Sequence, residues 1–300
     1  MNQTHSSRRG QPRVTELSVT QPAELLAFLL TRLPQASRRK AKLLLAHGQV
    51  SVQGSVVTQY NHALRPGDTV QIGWGKVEAA AGPANVRILF EDEHLIVVDK
   101  PAGLLTMATP REKEHTAYRQ LMDHLQRGDP AQRVYIVHRL DRDTSGVLLF
   151  AKNADVQEAL QTHWRDAVQE RTYAVLVEGR VRNSEGTVTS WLKESRTLQM
   201  VSSRVPNGGQ KAITHYSVLQ ATDAYSLLQV RLETGRKNQI RVHMQDLGHS
   251  VVGDRKYGAR GNPLGRLGLH AQILAFVHPT TRETLRFETE IPKKFRALLL

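Results

Sequence analysis

The sequence predicts an α+β protein of two unequal domains, the larger built on a mixed sheet. Three observations lead there. The chain has 300 residues, enough for one large domain or two unequal ones with a well-buried core. Residues 76–85, which include Ala79-Ala80-Ala81-Gly82-Pro83, are poor in large apolar side chains and read as a linker. Beyond them, strands and helices intermix without regular βαβ spacing, which argues against a doubly wound parallel sheet. The expected boundaries are a basic, disordered tail over residues 1–15, a small domain over 16–75, the linker, and a large domain over 86–300.

In the small domain, Pro22–Leu33 reads as a helix that Pro34 ends. A second helix starts after Ser37, a good N-cap, and stops at Gly48. At about 100° per residue its apolar side is Ala41, Leu44 and Leu45, and Arg38, Arg39 and Lys42 form an adjacent basic stripe. Short strands follow at Val50–Val52, Val56–Val57 and Val70–Ile72, the last entered from the turn Pro66-Gly67-Asp68.

In the large domain, Leu95–Val98 is an apolar strand that runs into the turn Lys100-Pro101-Ala102-Gly103. A helix is expected at Ala117–Gln126. The segment VYIVHRLDRDTSGVLLFAK then reads as strand, polar loop, strand. Asn153 caps a helix expected to bury Val156, Ala159, Leu160 and Val168. Strands follow at Arg171–Val177 and at Leu227–Leu232, where Leu228, Val230 and Leu232 alternate. Asn238–Leu247 is a helix with Ile240, Met244 and Leu247 inward.

Composition narrows the function. Lys plus Arg number 41 against 28 Asp plus Glu, a formal net charge of +13. Such a field suits a polyanion or an acidic membrane surface. Residues 1–80 hold ten Lys/Arg and four Asp/Glu, so net positive charge is more than twice as dense there as in the rest. The chain has no cysteine, which excludes disulfides, thiolate zinc sites, iron–sulfur clusters and thiol nucleophiles. Leu25–Leu30 is too short to span a bilayer, and no export signal is legible around Ser7-Arg8-Arg9. A cytoplasmic location without membrane attachment is expected.

The loop His138–Gly146 gathers most catalytic residue types between two apolar strands. On local pattern alone it is equally a polar hairpin connection. It is no kinase catalytic loop, since Leu140 separates Arg139 from Asp141, and no nucleophile elbow, since Asp143 stands where glycine is required. The thirteen histidines include no His-Glu-x-x-His pair. What survives is carboxylate chemistry among arginines, and a carboxylate near a guanidinium stays ionised and held in geometry.

Two resemblances sharpen this. SRRKAKLLLAHGQVSVQG followed by LRPGDTVQI is similar to the S-four-type RNA-binding domain, with Glu24-Leu25-Leu26 in place of that family's usual arginine-leucine-aspartate opening. This implies RNA contact by Arg38, Arg39 and Lys42. HRLDRDTSGVLLFAK resembles the catalytic motif of the RluA class of pseudouridine synthases. The resemblance continues in order through DKPAG (99–103), RTYAVLVEG (171–179), LETGRKNQIRVHM (232–244), GDRKYGA (253–259), LGLHA (267–271) and FVHP (276–279).

That resemblance implies a mixed, largely antiparallel sheet and an isomerisation of uridine in RNA that needs no cofactor. It implies Asp141 as the essential aspartate, Tyr173 as the tyrosine against the target base, Arg241 as the basic partner of the aspartate, and Arg139 as the arginine that enters the RNA stack. Many relatives carry histidine where this chain has Asn238. The expected partner is ribosomal RNA of the large subunit, with transfer RNA as runner-up, and the expected state is a monomer. The competing expectation is a non-catalytic RNA-binding assembly factor, which would be free to lose Asp141, Tyr173 or Arg241. All three are present.

Overall fold

The computed structural model describes residues 14–33, 37–46, 49–57, 59–73, 85–110 and 112–300. Residues 1–13 of the expected tail and nearly all of the expected linker lie outside them, and Val14 and Thr15, expected in the tail, instead open a strand paired with Gly73 and Ile72. The chain divides into two compact units, Met1–Gly82 and Pro83–Leu300. Among the described residues, no helix is long and apolar enough to cross a membrane.

The first unit begins with strands β1 (Val14–Ser18) and β2 (Ala23–Glu24), then helices α1 (Leu25–Arg32) and α2 (Arg38–Ala46). Strands β3 (Val50–Val52), β4 (Ser55–Val56), β5 (Ala63–Leu64) and β6 (Thr69–Gly73) complete it. The Ser37 cap forms as expected, with its Oγ accepting from Lys40 N at 3.2 Å. Ala41, Leu44 and Leu45 are buried with Leu25, Leu29, Val50 and Ile72, so the apolar faces of both helices close on the sheet β1-β6-β3-β4.

The second unit is one 11-stranded sheet. Its elements are β7 (Arg87–Glu91), β8 (Leu95–Lys100), α3 (Ala117–Gly128), β9 (Tyr135–Ile136), β10 (Ser145–Ala151), α4 (Ala154–Thr162), α5 (Trp164–Ala167) and β11 (Val168–Glu178). Next come β12 (Glu185–Glu194), β13 (Met200–Ser203), β14 (Gln210–Ala221), β15 (Tyr225–Leu232), α6 (Gln239–Asp246), β16 (Leu269–Val277), β17 (Thr284–Glu288) and α7 (Lys293–Ala297). The strand order is β13-β12-β14-β15-β11-β16-β10-β8-β7, with β17 on β16 and β9 on β10.

Every pairing between these strands is antiparallel except β10 with β16. Strands β8 and β10 read as unbroken apolar runs because helices cover both faces. On one face α3 places Leu121 and Leu125 with Ile96, Val98, Leu148 and Phe150. On the other, α4 places Val156 and Leu160 with Leu95, Val97 and Leu149. Further along the first face, Ile240 and Met244 of α6 pack with Val175, Val177, Leu228 and Val230. Tyr173 packs against both first-face clusters, so it marks the seam between the α3 and α6 layers.

Asn153 caps α4 as expected, its Oδ1 accepting from Val156 N at 2.8 Å. Val168, however, is not part of that helix. The helix ends at Thr162 with His163 as its C-cap, and Val168 opens β11.

Candidate active site

The loop that carries Asp141 is fixed from behind by its backbone. Thr106 Oγ1 donates to Leu140 O at 2.8 Å and accepts from Leu140 N at 3.2 Å. Arg142 O accepts from Gly103 N at 2.9 Å and from Lys100 Nζ at 3.0 Å. Lys100, fully buried, also donates to Pro101 O and to Leu104 O at 2.7 Å. One ammonium thereby ties the end of β8 and the turn after it to the aspartate loop.

Burial pulls the Lys100 ammonium down to about 7, opposed by the negative charge of Asp143 and assisted by the positive charge of Arg266. Its three carbonyl acceptors match the three donors of the protonated form, so the cage fits the ammonium. With Leu140 buried and these carbonyls engaged, the Asp141 side chain turns outward and is 30% exposed.

Its partner comes from α6. Arg241 Nη1 donates to Asp141 Oδ2 at 3.0 Å and to Asn238 Oδ1 at 3.2 Å. The other edge of the guanidinium grips Asp254 in a fork, Nε to Oδ2 at 2.6 Å and Nη2 to Oδ1 at 2.8 Å. Asp254 is almost wholly buried, and the Tyr257 ring lies 4.9 Å from the guanidinium carbon. Burial works against the Arg241 charge, but the Asp254 hydrogen bond and the charges of Asp254 and Asp141 outweigh it and raise its pKa further. Asp141 therefore faces a cation whose position is set by a second, buried carboxylate.

Asn238 N-caps α6 in the left-handed region, at φ 54°, which asparagine tolerates better than most residues. Its Nδ2 donates to Tyr257 Oη at 3.0 Å while its Oδ1 accepts from Arg241. An amide at this position serves both neighbours at once.

Tyr173 enters from β11, which pairs with β15 on one side and β16 on the other. The register against β16 shifts between Thr172 and Tyr173, and such a bulge re-aims the side chain that follows it. Burial pushes the Tyr173 phenol above its usual range, with Arg171 lowering it and Asp141 raising it. It is a neutral phenol near neutral pH. Arg139, Asp141, Tyr173, Asn238 and Arg241 line one cleft, with Leu140, Leu232 and Leu269 as apolar walls. Arg139 is exposed and has no carboxylate partner among the described residues.

A third layer supports the β10–β16 junction. Ser145 Oγ meets His270 Nδ1 at 2.8 Å and accepts from Arg266 Nη2 at 2.8 Å, and His270 Nε2 meets Thr289 Oγ1 at 2.9 Å. His243 sits between Ser190 and Thr214, His278 beside Asp92, and His138 accepts from Leu149 N against the Trp164 ring. These four histidines are structural parts of the scaffold.

Four of the expected residues, Arg139, Asp141, Tyr173 and Arg241, thus share one cleft. Arg38 is exposed at the start of α2. Arg39 and Lys42 lie on the same helix, with side chains outside the described residues. Asp143 is exposed, does not line the Asp141 cleft, and its side chain makes no hydrogen bond among the described residues. Sequence reasoning missed Lys100 and Asp254 as supporting residues. Both stand inside matched motifs, DKPAG and GDRKYGA, but their partners lie 42 and 13 residues away.

Comparison with known proteins accords with this architecture. A family model described as RNA pseudouridylate synthase matches residues 94–246, and the S4 domain model matches residues 25–70. An uncharacterised RNA pseudouridine synthase of Bacillus subtilis is 33% identical over 297 residues, 97% of this chain and 98% of the relative. Ribosomal large subunit pseudouridine synthase D of Zymomonas mobilis is 35% identical, covering 91% of this chain and 90% of its own. Among solved structures, human RNA pseudouridylate synthase domain containing 4 superposes with a TM-score of 0.58 at 27% identity, over 70% of this chain and 90% of the other. With these matches spanning both the small domain and the sheet that carries Asp141, the chain belongs to the RNA pseudouridylate synthase family and is an RNA pseudouridine synthase of the RluA class with an N-terminal S4 domain.

Proposed function

We propose that the cleft isomerises uridine in large-subunit ribosomal RNA with Asp141 as the reacting carboxylate. The observation that carries this reading is the Asp254–Arg241–Asp141 relay, which holds one partly exposed carboxylate at a fixed place in a cleft with Tyr173 and Arg139. In the reaction the bond from the anomeric carbon to the ring nitrogen breaks, the uracil turns, and a carbon–carbon glycosidic bond forms. The proton lost from the ring carbon is balanced by one gained at the freed nitrogen. Nothing is oxidised and no water is consumed, so the chain's own residues suffice.

A base in a duplex is first extruded, which costs a few kcal/mol. Arg139 offsets that by filling the vacated stack and meeting phosphate. Tyr173, a phenol in a largely apolar seam, supplies the surface on which the base rests and a hydroxyl near the sugar. Asp141 acts either at the anomeric carbon or as the base that Tyr173 assists, and the same carboxylate serves both routes. Large-subunit RNA is favoured over transfer RNA by the relatives named for that substrate and by the appended S4 domain. The enzyme is expected to work as a cytoplasmic monomer.

The test is pseudouridine mapping of total RNA from cells with and without the protein, repeated with Asp141→Ala. Wild type should restore a defined set of sites in large-subunit RNA and the variant none of them. Restoration by the variant would remove Asp141 from the chemistry, and sites confined to transfer RNA would replace the substrate.

A further inference from the structure

We propose that the cleft between α5 and the C-terminal end of β15 is a subsite for the RNA strand flanking the target uridine, gripping its phosphates. The inference deepens the reading of the Asp141 cleft as the catalytic site and rests on it. The cleft encloses about 680 Å³ and shares Leu232 and Arg236 with the Asp141 cleft, so a strand leaving one enters the other.

Its charge is one-sided. Arg165, Arg171, Arg231 and Arg236 all line it, and among the described residues none of the four has a carboxylate partner. The single carboxylate in the lining, Glu233, is engaged by His215 Nε2 at 3.2 Å. Unpaired guanidiniums converging on one hollow are stabilised by an anion that brings several acceptor oxygens.

Two of the four are oriented by backbone. Arg171 Nη2 donates to Glu233 O at 3.3 Å and Arg236 Nε to Lys211 O at 3.1 Å. Each leaves other N–H donors free. Arg165 and Arg231 are exposed and their side chains make no hydrogen bond among the described residues, so their donors are available in full. Trp164 lines the same hollow. Basic side chains beside an aromatic ring are how single-stranded nucleic acid is held irrespective of sequence.

The hollow is also tied mechanically to the catalytic loop. The Trp164 ring lies 4.8 Å from His138, the residue before Arg139. Burial first, and Arg171 second, bring His138 down to about 3, so this contact keeps a neutral imidazole.

The test uses the full chain with a fluorescein-labelled oligouridylate, its affinity measured across a range of salt. Arg165→Gln/Arg231→Gln should flatten the slope of log affinity against log salt by about 1.4, at about 0.7 for each phosphate neutralised on a single strand. At physiological salt the affinity should fall about tenfold. Arg165→Lys/Arg231→Lys should restore most of the slope, and Arg127→Gln/Arg182→Gln, equal in charge but outside the cleft, should leave it unchanged. On a transcript of large-subunit RNA, the glutamine pair should raise KM about tenfold and hold kcat within about twofold, the pattern of lost uniform binding.

A wild-type slope in the glutamine pair, or an equal loss in the distant pair, overturns the subsite. Failure of the wild type to form pseudouridine on the transcript would instead defeat the catalytic reading, and the oligouridylate slopes would still decide the subsite.

Discussion

Arg241 holds the Asp141 carboxylate in place, and Asp254 holds Arg241. The fork between them is buried on the Asp254 side, so removing that carboxylate leaves the largely buried Arg241 with only the partly exposed Asp141 as counter-charge. Asp254→Ala should destabilise the second unit by about 3–5 kcal/mol, read as a lowered urea midpoint. Asp254→Asn keeps the shape and should cost less stability while still slowing turnover, because Arg241 loses the charge that aims it at Asp141. Little of this is legible in the sequence. Asp141 and Arg241 are recognisable one by one from their motifs, yet their 3.0 Å hydrogen bond spans 100 residues and exists only because β11 and β15 bring α6 back to the start of β10. Asn238 shows the same limit. Its left-handed backbone and double hydrogen bond are tertiary facts that no local pattern encodes.

Among the elements, the β10–β16 junction governs the site. Ser145 pairs with His270 and Gly146 with Ala271, and Ala271 in turn pairs with Tyr173 of β11. Gly146 has φ 112°, and a Cβ there would lie 2.0 Å from Ala271 O. Gly146→Ala therefore meets both backbone strain and a backbone clash, and should cost about 3 kcal/mol or more. The checks are chemical denaturation and turnover, since a displaced β10 also shifts the Asp141 loop.

Elements with strong apolar signals, β8, β10, β15 and α6, are legible because burial writes a run or a period into them. Strands β12 and β14 are not. The first half of β12 alternates only between exposed and intermediate, and the buried face of β14 is Ala212, Thr214 and Tyr216, so neither strand shows a row of large aliphatic side chains against a loop. The extension of α4 to Val168 fails for the opposite reason. Val168 is partly buried against the same cluster as Val156 and Leu160, but it gets there from a strand. At the other end of the chain, charge neutralisation of Arg38, Arg39 and Lys42 on α2 should lower the salt slope of binding to structured RNA by up to about 0.9 for each phosphate left without its cation. An unchanged slope would take that helix out of the interface.

The whole molecule stores part of its pH response in neutral, buried histidines. Burial brings His243 and His270 down to about 4 from an ordinary value of 6.5. Above pH 6.5 both are neutral, folded or unfolded, and their burial carries no proton-linked cost. As the pH falls from about 6.5 toward 4, the unfolded chain takes up protons that the folded chain refuses. With His138, which burial brings down to about 3, stability should then drop by up to about 4 kcal/mol per pH unit near pH 5, for three protons. Urea midpoints measured between these limits check this, and His243→Gln should remove about a third of the slope. The net charge of +13, which by itself allows several polyanions, is resolved by the S4 domain and the catalytic sheet into RNA. The role given to Asp141 is tested most directly by single-turnover conversion of a large-subunit RNA transcript by the purified full chain. Asp141→Asn, which keeps the shape and the hydrogen bond to Arg241 but removes the charge, should bind the transcript with wild-type affinity and convert its uridine about 10⁴-fold more slowly or worse. A rate within about tenfold of wild type would contradict the account.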